Sequence, residues 1–291
     1  MKKINIKDLE YKKSIYSSRM SEVWELVDGN YAKIVTDDTL AVCYSLGVDY
    51  ERKILYSKAK YAEGIITPLS AIYKRYGCSG YIMEPGKGLN LDEDGNDGDI
   101  QKAQDLQRFC NIYQQMEKIV INANKLGIVM PDLCAFKNII ITPDDKVLFI
   151  DYDGMQFGKK DKAISFAEDD MLGSYKEYNA ISKYSNGKFH FTPELDITSL
   201  TVLLFKWIFN EVICVKALER KDGINQEDLV SGVFEKLNIQ DREFKRKVLA
   251  NLSDNEPGAF LSEDLERIAK NNTMQAIVGK DGQYIKCLNK K

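Results

Sequence analysis

Short runs of alternating apolar and polar residues fill the chain between residues 12 and 84, and they predict a small, strand-rich unit. The runs indicate strands at 12–16, 22–27, 31–35, 70–75 and 80–84, with turn signals such as Asp28-Gly29 between them. Between the third and fourth runs, Val48 to Tyr56 carries apolar residues at helical spacing. We therefore expect a small antiparallel sheet of five strands with one helix.

Helical spacing replaces strand alternation beyond an acidic, glycine-rich segment at 91–99. Apolar residues recur every three or four positions from Ala103 to Ala123, which predicts a long amphipathic helix. Ile197 to Phe209 is apolar on nearly every side, so we expect a buried helix there. Two hairpins and a further helical region complete the pattern, at 139–150, 275–288 and 226–268. The whole pattern is that of an α+β protein.

Composition and charge exclude several classes of function. The 291 residues carry a net charge of −3, so no global basic field favours nucleic acid as a partner. The longest apolar run, Leu200 to Phe209, is too short to cross a bilayer, and we expect no membrane partner. The N-terminal residues have no apolar stretch of the kind found in a secretory signal, so a cytoplasmic location is expected. The chain has few residues from which to build a zinc site or a serine-histidine triad, because it contains one histidine and no C-x-x-C pair.

Five polar residues stand in an order that suits phosphoryl transfer, which needs a cation on the phosphates, oxygen ligands for a metal and a carboxylate near the accepting hydroxyl. Lys33 lies in an otherwise apolar strand, and Glu51 lies on the following helix. Asp132 and Asn138 precede the 139–150 hairpin, and Asp151 follows it. Each residue alone is a weak signal, and their joint order carries the hypothesis.

The segments around these residues resemble the protein kinase family from about Lys13 to Phe209. Ser17 to Trp24 lies where that family has its glycine-rich loop, and Tyr31-Ala32-Lys33-Ile34 resembles V-A-I-K. Further segments resemble the adenine hinge, the H-R-D loop, the D-F-G metal site and the start of the central helix: Tyr81 to Gly86, Leu126 to Leu133, Ile150 to Gly154 and Asp196 to Leu200.

This resemblance implies a bilobal kinase-like fold that binds ATP and Mg²⁺, or Mn²⁺ in its place. Residues 1–86 would form an N-lobe with a five-stranded antiparallel sheet and one helix, and residues 87–291 a mainly helical C-lobe. The implied catalytic residues are Lys33 on the phosphates, Glu51 as its partner and Asp132 as the acceptor of the hydroxyl proton. The implied ATP-binding residues are Ser18, Ser21, Val23, Lys33, Met83, Glu84 and Gly86, and the implied metal ligands are Asn138, Asp151 and Asp153.

Several positions depart from the family pattern. Ser18 and Ser21 replace two glycines of the phosphate loop, which removes backbone freedom there. Cys134 stands where the family has a lysine, a place that Lys137 would have to fill. The interval from Asp132 to Asn138 is also one residue longer than usual. Asp153 replaces the D-F-G glycine, and its carboxylate would either reinforce the metal site or cap the next turn.

Three functions are open on this sequence. The first is an ATP-dependent phosphotransferase that acts on the hydroxyl of a protein or a small molecule. The second is a pseudokinase that binds nucleotide or a protein partner without catalysis, which the altered phosphate loop favours. The third is a small-molecule kinase of the choline or aminoglycoside type, because Pro193-Glu194 lies only two residues before Asp196 and leaves little room for a peptide-docking platform.

Overall fold

A computed structural model describes most of the chain and gives it an α+β architecture with a mixed sheet. The described residues are 1–75, 77–90, 106–133, 136–159, 161, 190–208, 226–236, 239–252, 258–270, 275–277 and 286–288. Within these ranges no helix combines the length and the apolar character needed to cross a membrane.

The main sheet has six strands in the order β1-β5-β6-β4-β3-β2. Their bounds are Lys2–Asn5 for β1, Tyr11–Ser17 for β2, Ser21–Leu26 for β3, Tyr31–Val35 for β4, Ser70–Lys74 for β5 and Gly77–Met83 for β6. Strands β2 to β6 are the five predicted ones, and their pairings are antiparallel. The prediction of a purely antiparallel, five-stranded sheet is wrong, because β1 adds a sixth strand that runs parallel to β5.

Strand alternation gives the two faces of β4 different environments. Ala32 and Ile34 are buried in a small apolar cluster on one face, while Lys33 points to the opposite face. Gly80 of β6 permits the close approach of the two strands, because a Cβ atom at this position would lie 2.2 Å from the Lys33 carbonyl oxygen. The central lysine is thus held on a tightly packed part of the sheet.

Two short helices connect β4 to β5, where the sequence predicts one. Helix α2 (Tyr50–Ile54) is the predicted helix, and the Asp49 carboxylate caps it by accepting from the Arg52 amide at 3.0 Å. Helix α1 (Asp37–Ser45) was not predicted. Its cap is the Thr36 hydroxyl, which accepts from the Thr39 amide at 3.3 Å.

The helical part packs against the inner face of the sheet in one continuous apolar core. The described helices here are α3 (Leu106–Lys125), α4 (Glu194–Ile208), α5 (Gln226–Lys236), α6 (Arg242–Leu252) and α7 (Ser262–Lys270). The predicted stripe of α3 is confirmed, because Cys110, Tyr113, Met116, Val120 and Ala123 are all buried. The buried character predicted for α4 is also confirmed in its described side chains, such as Leu200 and Leu203.

Among the described residues, seven short strands lie outside the main sheet. They are β7 (Leu89–Asn90), β8 (Ile128–Val129), β9 (Ile139–Ile141), β10 (Val147–Phe149), β11 (Gln156–Phe157), β12 (Gln275–Ile277) and β13 (Lys286–Leu288). The pairs β9–β10 and β12–β13 are antiparallel and confirm the two predicted hairpins. Strands β8 and β11 also pair, which brings the segments on either side of the β9–β10 hairpin together.

Candidate functional site

Lys33 lies at the middle of β4 with a neighbour on each side. Val23 of β3 and Tyr81 of β6 are its direct cross-strand partners, and Met83 lies two residues beyond Tyr81. Since residues opposite each other in a sheet project to the same face, these side chains share the face that meets the helical part. The sheet thus presents a lysine between apolar and aromatic side chains.

The β9–β10 hairpin places Asn138 and Asp151 side by side. The Ile150 amide donates to the Asn138 carbonyl oxygen at 2.9 Å, which extends the hairpin ladder by one step. Asp151 then adopts a left-handed backbone conformation with φ at +66°. This conformation is costly for a residue with a Cβ atom, and it directs the chain into the turn that carries Asp153.

Lys33 forms ion pairs with both aspartates of this turn. Its Nζ contacts Oδ1 of Asp151, and it lies 2.6 Å from Oδ1 of Asp153. Burial alone would lower the pKa of Lys33, but the two negative charges outweigh burial and hold this pKa well above its usual value. For the Asp151 carboxylate, burial has the opposite effect and would raise the pKa. The charge of Lys33, with a smaller contribution from Lys137, outweighs burial and lowers the pKa of Asp151. The cluster therefore holds a protonated lysine against an ionised aspartate.

Asp132 and Asn138 meet through their side chains. The Asn138 Nδ2 donates to Asp132 Oδ2 at 2.7 Å and to the Asp132 carbonyl oxygen at 3.3 Å. Two turns surround this contact, one closed by the Leu133 amide on the Met130 carbonyl and a 3-10 turn at Phe136–Asn138. These turns bring Asp132 and Asn138 together, although the interval between them is one residue longer than in the protein kinase pattern. Asp132, Asn138 and Asp151 line one shared pocket, whose other lining residues include Met130, Pro131, Phe149, Gly154 and Met155.

Asn138 and Asp151 carry the oxygen atoms of this pocket that could hold a magnesium ion together with phosphates. Because the Asn138 Nδ2 donates to Asp132, the Asn138 Oδ1 is the atom left to coordinate a metal ion. The second oxygen ligand would come from the Asp151 carboxylate, which follows the neighbouring strand β10. One or two carboxylates with phosphate oxygens are the usual ligands of Mg²⁺. Among the residues that the structure describes, no group of three or more His, Cys, Asp or Glu side chains forms a metal cage.

Glu51 does not hold Lys33, and this prediction is wrong. The Glu51 Oε1 accepts from Tyr73 Oη at 2.6 Å and from Lys3 Nζ at 3.0 Å, on the outer side of α2. Its side chain is 40% exposed. The cause is the orientation of the short helix, which turns the neighbouring residue, Tyr50, toward Lys33 and its aspartates.

Helix α2 directs Tyr50 and Lys53 into the core. The fully buried Lys53 donates to Asp161 Oδ2 at 2.7 Å and to the Met155 carbonyl at 2.6 Å. The Phe157 amide donates to the same Asp161 oxygen at 2.8 Å. A buried ion pair therefore fixes α2 to the segment that follows the Lys33 cluster.

The turn between β2 and β3 is closed by a serine hydroxyl. The Ser18 Oγ accepts from the backbone amides of Met20 and Ser21, both at 3.1 Å, and donates to the Ser21 carbonyl. The Thr36 amide donates to the Met20 carbonyl at 2.9 Å and ties this turn to the start of α1. Two amides that could face a phosphate are thus already satisfied within the turn.

The predicted hinge segment packs against strand β9 of the β9–β10 hairpin. Met83 ends β6, Glu84 is exposed, and Gly86 packs so closely that a Cβ atom there would lie 2.4 Å from the Ile140 side chain. The segment therefore lies next to the strand that follows Asn138. Of the predicted hinge residues, Met83 projects to the same face of the sheet as Lys33.

Asp196 supports the backbone that precedes Asp132. The fully buried Asp196 Oδ1 accepts from the Met130 amide at 3.0 Å. With its amide nitrogen turned toward them, Asn124 donates to Asp196 Oδ2 at 2.9 Å and to the Ile128 carbonyl at 2.8 Å. The buried Asp196 carboxylate therefore joins the start of α4 to the segment that leads to Asp132.

Sequence reasoning missed the aromatic residues of the site. Tyr50 and Tyr81 are both buried, and each hydroxyl donates to Asp153, at 3.3 Å and 3.1 Å. Their polar role leaves no signal in the sequence, because a buried tyrosine also fits an apolar strand or helix face. Cys134, noted as the replacement for a lysine, lies outside the described residues.

No protein-family model matches the chain, and no curated protein matches its sequence.

Proposed function

We propose that the chain is an ATP-dependent phosphotransferase with a bilobal, protein kinase-like fold, formed by residues 1–86 and 87–291. The observation that carries this proposal is the contact between Lys33 and Asp151, 118 residues apart, beside the Asp132–Asn138 pair. A lysine on a sheet, a carboxylate after a hairpin and an aspartate–asparagine pair are the groups that phosphoryl transfer requires. A cytoplasmic location, where ATP is available, goes with this function.

Each residue of the cluster has a distinct role in the proposed reaction. Lys33 orients the phosphates, Asn138 and Asp151 offer oxygen ligands, and Asp132 accepts the proton of the attacking hydroxyl. Mg²⁺, or Mn²⁺, would neutralise charge that develops on the transferred phosphoryl group. The hydrogen bond from Asn138 fixes the Asp132 carboxylate beside the metal ligands.

The acceptor is a hydroxyl of a protein or a small molecule. Helix α4 begins at Glu194, directly after Pro193, so this Pro-Glu pair starts the helix and does not form a separate platform. This favours a small acceptor over an extended peptide. Transfer of labelled phosphate to a panel of proteins, amino alcohols and aminoglycosides would identify the class.

The first test is thermal unfolding with ATP, in the presence and absence of Mg²⁺. Ligand at about 100 times its dissociation constant adds roughly 2.7 kcal/mol to stability, which raises the midpoint by several degrees in a protein of this size. We expect a magnesium-dependent rise in the wild type that is lost in Asp151→Asn. A wild type that shows no rise with any nucleotide would refute the proposal.

A pseudokinase is the second candidate, and the Ser18 turn favours it. Because Ser18 satisfies the Met20 and Ser21 amides, these groups are withdrawn from the phosphates. This function predicts binding of ATP with Mg²⁺ but no transfer to any acceptor and no hydrolysis. Single-turnover assays with labelled ATP separate the two candidates.

A further inference from the structure

The carboxylate that stabilises Lys33 comes from the turn after Asp151 and not from helix α2. The α2 carboxylate, Glu51, bonds to Tyr73 and Lys3 and is 40% exposed. The Asp153 side chain is only 9% exposed and lies 2.6 Å from the Lys33 ammonium. An ion pair shielded from water in this way is stronger than an exposed one.

Asp153 receives hydrogen bonds from three elements of the fold. Its Oδ1 accepts from Lys33 on β4 at 2.6 Å and from the Tyr81 hydroxyl on β6 at 3.1 Å. Its Oδ2 accepts from the Tyr50 hydroxyl on α2 at 3.3 Å. Both carboxylate oxygens are thus directed at donors, which suits a fixed structural contact with the lysine better than coordination of a metal.

The two aspartates that contact Lys33 differ in their surroundings. Asp151 is one-third exposed and lines the pocket with Asp132 and Asn138. The Asp153 side chain is buried and accepts hydrogen bonds from the Tyr50 and Tyr81 hydroxyls. Asp151 can therefore turn to a ligand in the pocket while Asp153 keeps the lysine in position.

We infer that Asp153 is the positioning residue for Lys33, in the place predicted for Glu51. This inference rests on the proposed function, since it assigns Lys33 to the phosphates of ATP. Tyr50 and Tyr81 fix Asp153, which holds the Lys33 ammonium beside Asp151. Asp153 is then not a metal ligand.

A double-mutant cycle on unfolding tests the contact without any nucleotide. Asp153→Asn is made in the wild type and in Lys33→Met, and Glu51→Gln is made in the same two backgrounds as the matched control. We expect Asp153→Asn to lower the urea midpoint in the wild type but to leave it unchanged or raise it in Lys33→Met, because a buried carboxylate without its cation is costly. Glu51→Gln should shift the midpoint equally in both backgrounds. Additive effects of Lys33→Met and Asp153→Asn would overturn the inference.

Binding of ATP and adenosine tests the positioning role. Lys33 would contact phosphates only, so Asp153→Asn should weaken ATP binding at least tenfold and leave adenosine binding within twofold, while Glu51→Gln changes neither. Equal weakening of both ligands would show a merely structural role and refute the inference. So would an effect of Glu51→Gln on ATP as large as that of Asp153→Asn.

Two further outcomes remain informative. If Asp153→Asn does not fold, Tyr81→Phe and Tyr50→Phe each remove one hydroxyl and should weaken ATP binding severalfold with adenosine unchanged; unchanged ATP binding in both variants would refute the role. If the wild type binds neither ATP nor adenosine, the proposed function fails. The unfolding cycle then still decides whether Asp153 holds Lys33.

Discussion

The Asn138 Nδ2 donates to the Asp132 Oδ2 at 2.7 Å, although the two residues are six positions apart in the sequence. This contact orients a carboxylate at the pocket that also contains Asp151. It makes Asn138 a link between the proposed metal ligands and the proposed proton acceptor. One substitution at Asn138 should therefore affect both.

Asn138→Ala should strongly slow phosphoryl transfer and leave the protein folded. The variant loses an oxygen ligand and the donor that orients Asp132, so we expect turnover to fall about 100-fold or more. Loss of the hydrogen bond to a carboxylate should cost about 1–3 kcal/mol of stability. The measurements are single-turnover kinetics and urea unfolding. Asn122→Ala is the matched control, because Asn122 donates to the Tyr61 carbonyl on the surface, and equal turnover in the two variants would contradict the assignment.

The turn that precedes β3 should limit ATP affinity. Ser18→Ala removes the hydroxyl that occupies the Met20 and Ser21 amides, and Ser18→Gly also restores backbone freedom. We expect both variants to bind ATP severalfold more tightly, with Ser18→Gly the tighter, and to be slightly less stable. Isothermal titration with ATP and Mg²⁺ measures this. Weaker binding in both variants would mean that the closed turn itself contacts the nucleotide.

The sequence predicts the parts of the fold that have strong local patterns. Helix α3 repeats its apolar residues over 20 positions, and the β9–β10 hairpin has two apolar runs around Pro143-Asp144-Asp145. Helix α1 was missed because only Thr39 and Cys43 are buried in it, although Thr36 followed by two aspartates is a capping signal. Strand β1 was missed because its pairing with β5 joins residues nearly 70 positions apart.

The partner of Lys33 could not be predicted from spacing. Helix α2 has five residues, too few for an apolar repeat to define its inward face. Its buried positions include Lys53, which an apolar pattern assigns to solvent. The side chains of adjacent helical residues point about 100° apart. Whether Tyr50 or Glu51 faces Lys33 therefore depends on how α2 packs in the folded protein.

The buried pair between Lys53 and Asp161 should be important for stability. Lys53→Met leaves the Asp161 carboxylate buried without its cation, so we expect a loss of about 3–5 kcal/mol. The double variant Lys53→Met with Asp161→Asn should recover part of this loss, because no uncompensated charge remains. Lys3→Met, which breaks an exposed pair, is the control and should shift the urea midpoint little. A double variant less stable than Lys53→Met would contradict this account.

Asp241 should make stability depend on pH in the acid range through its cap on α6 and its ion pair with Arg267 of α7. Its Oδ1 caps α6 by accepting from the Phe244 amide at 3.0 Å, and its Oδ2 pairs with Arg267 of α7 at 2.7 Å. Burial would raise the pKa of Asp241, but these two contacts outweigh it and lower the pKa below the usual 3.8. The folded state thus favours the ionised form, and its contribution to stability is present above pH 3.8 and lost as pH falls through the lowered pKa.

Two substitutions at Asp241 separate the cap from the charge. Asn caps a helix about as well as Asp, so Asp241→Asn should keep the cap but lose the pair with Arg267 and this part of the acid dependence. Asp241→Ala should lose about 1 kcal/mol more, because the Phe244 amide is then without its cap. Urea unfolding of the three proteins between pH 2.5 and 7 measures the difference. Curves for the wild type and Asp241→Asn that stay parallel through this range would show that the carboxylate titrates alike in the folded and unfolded chain.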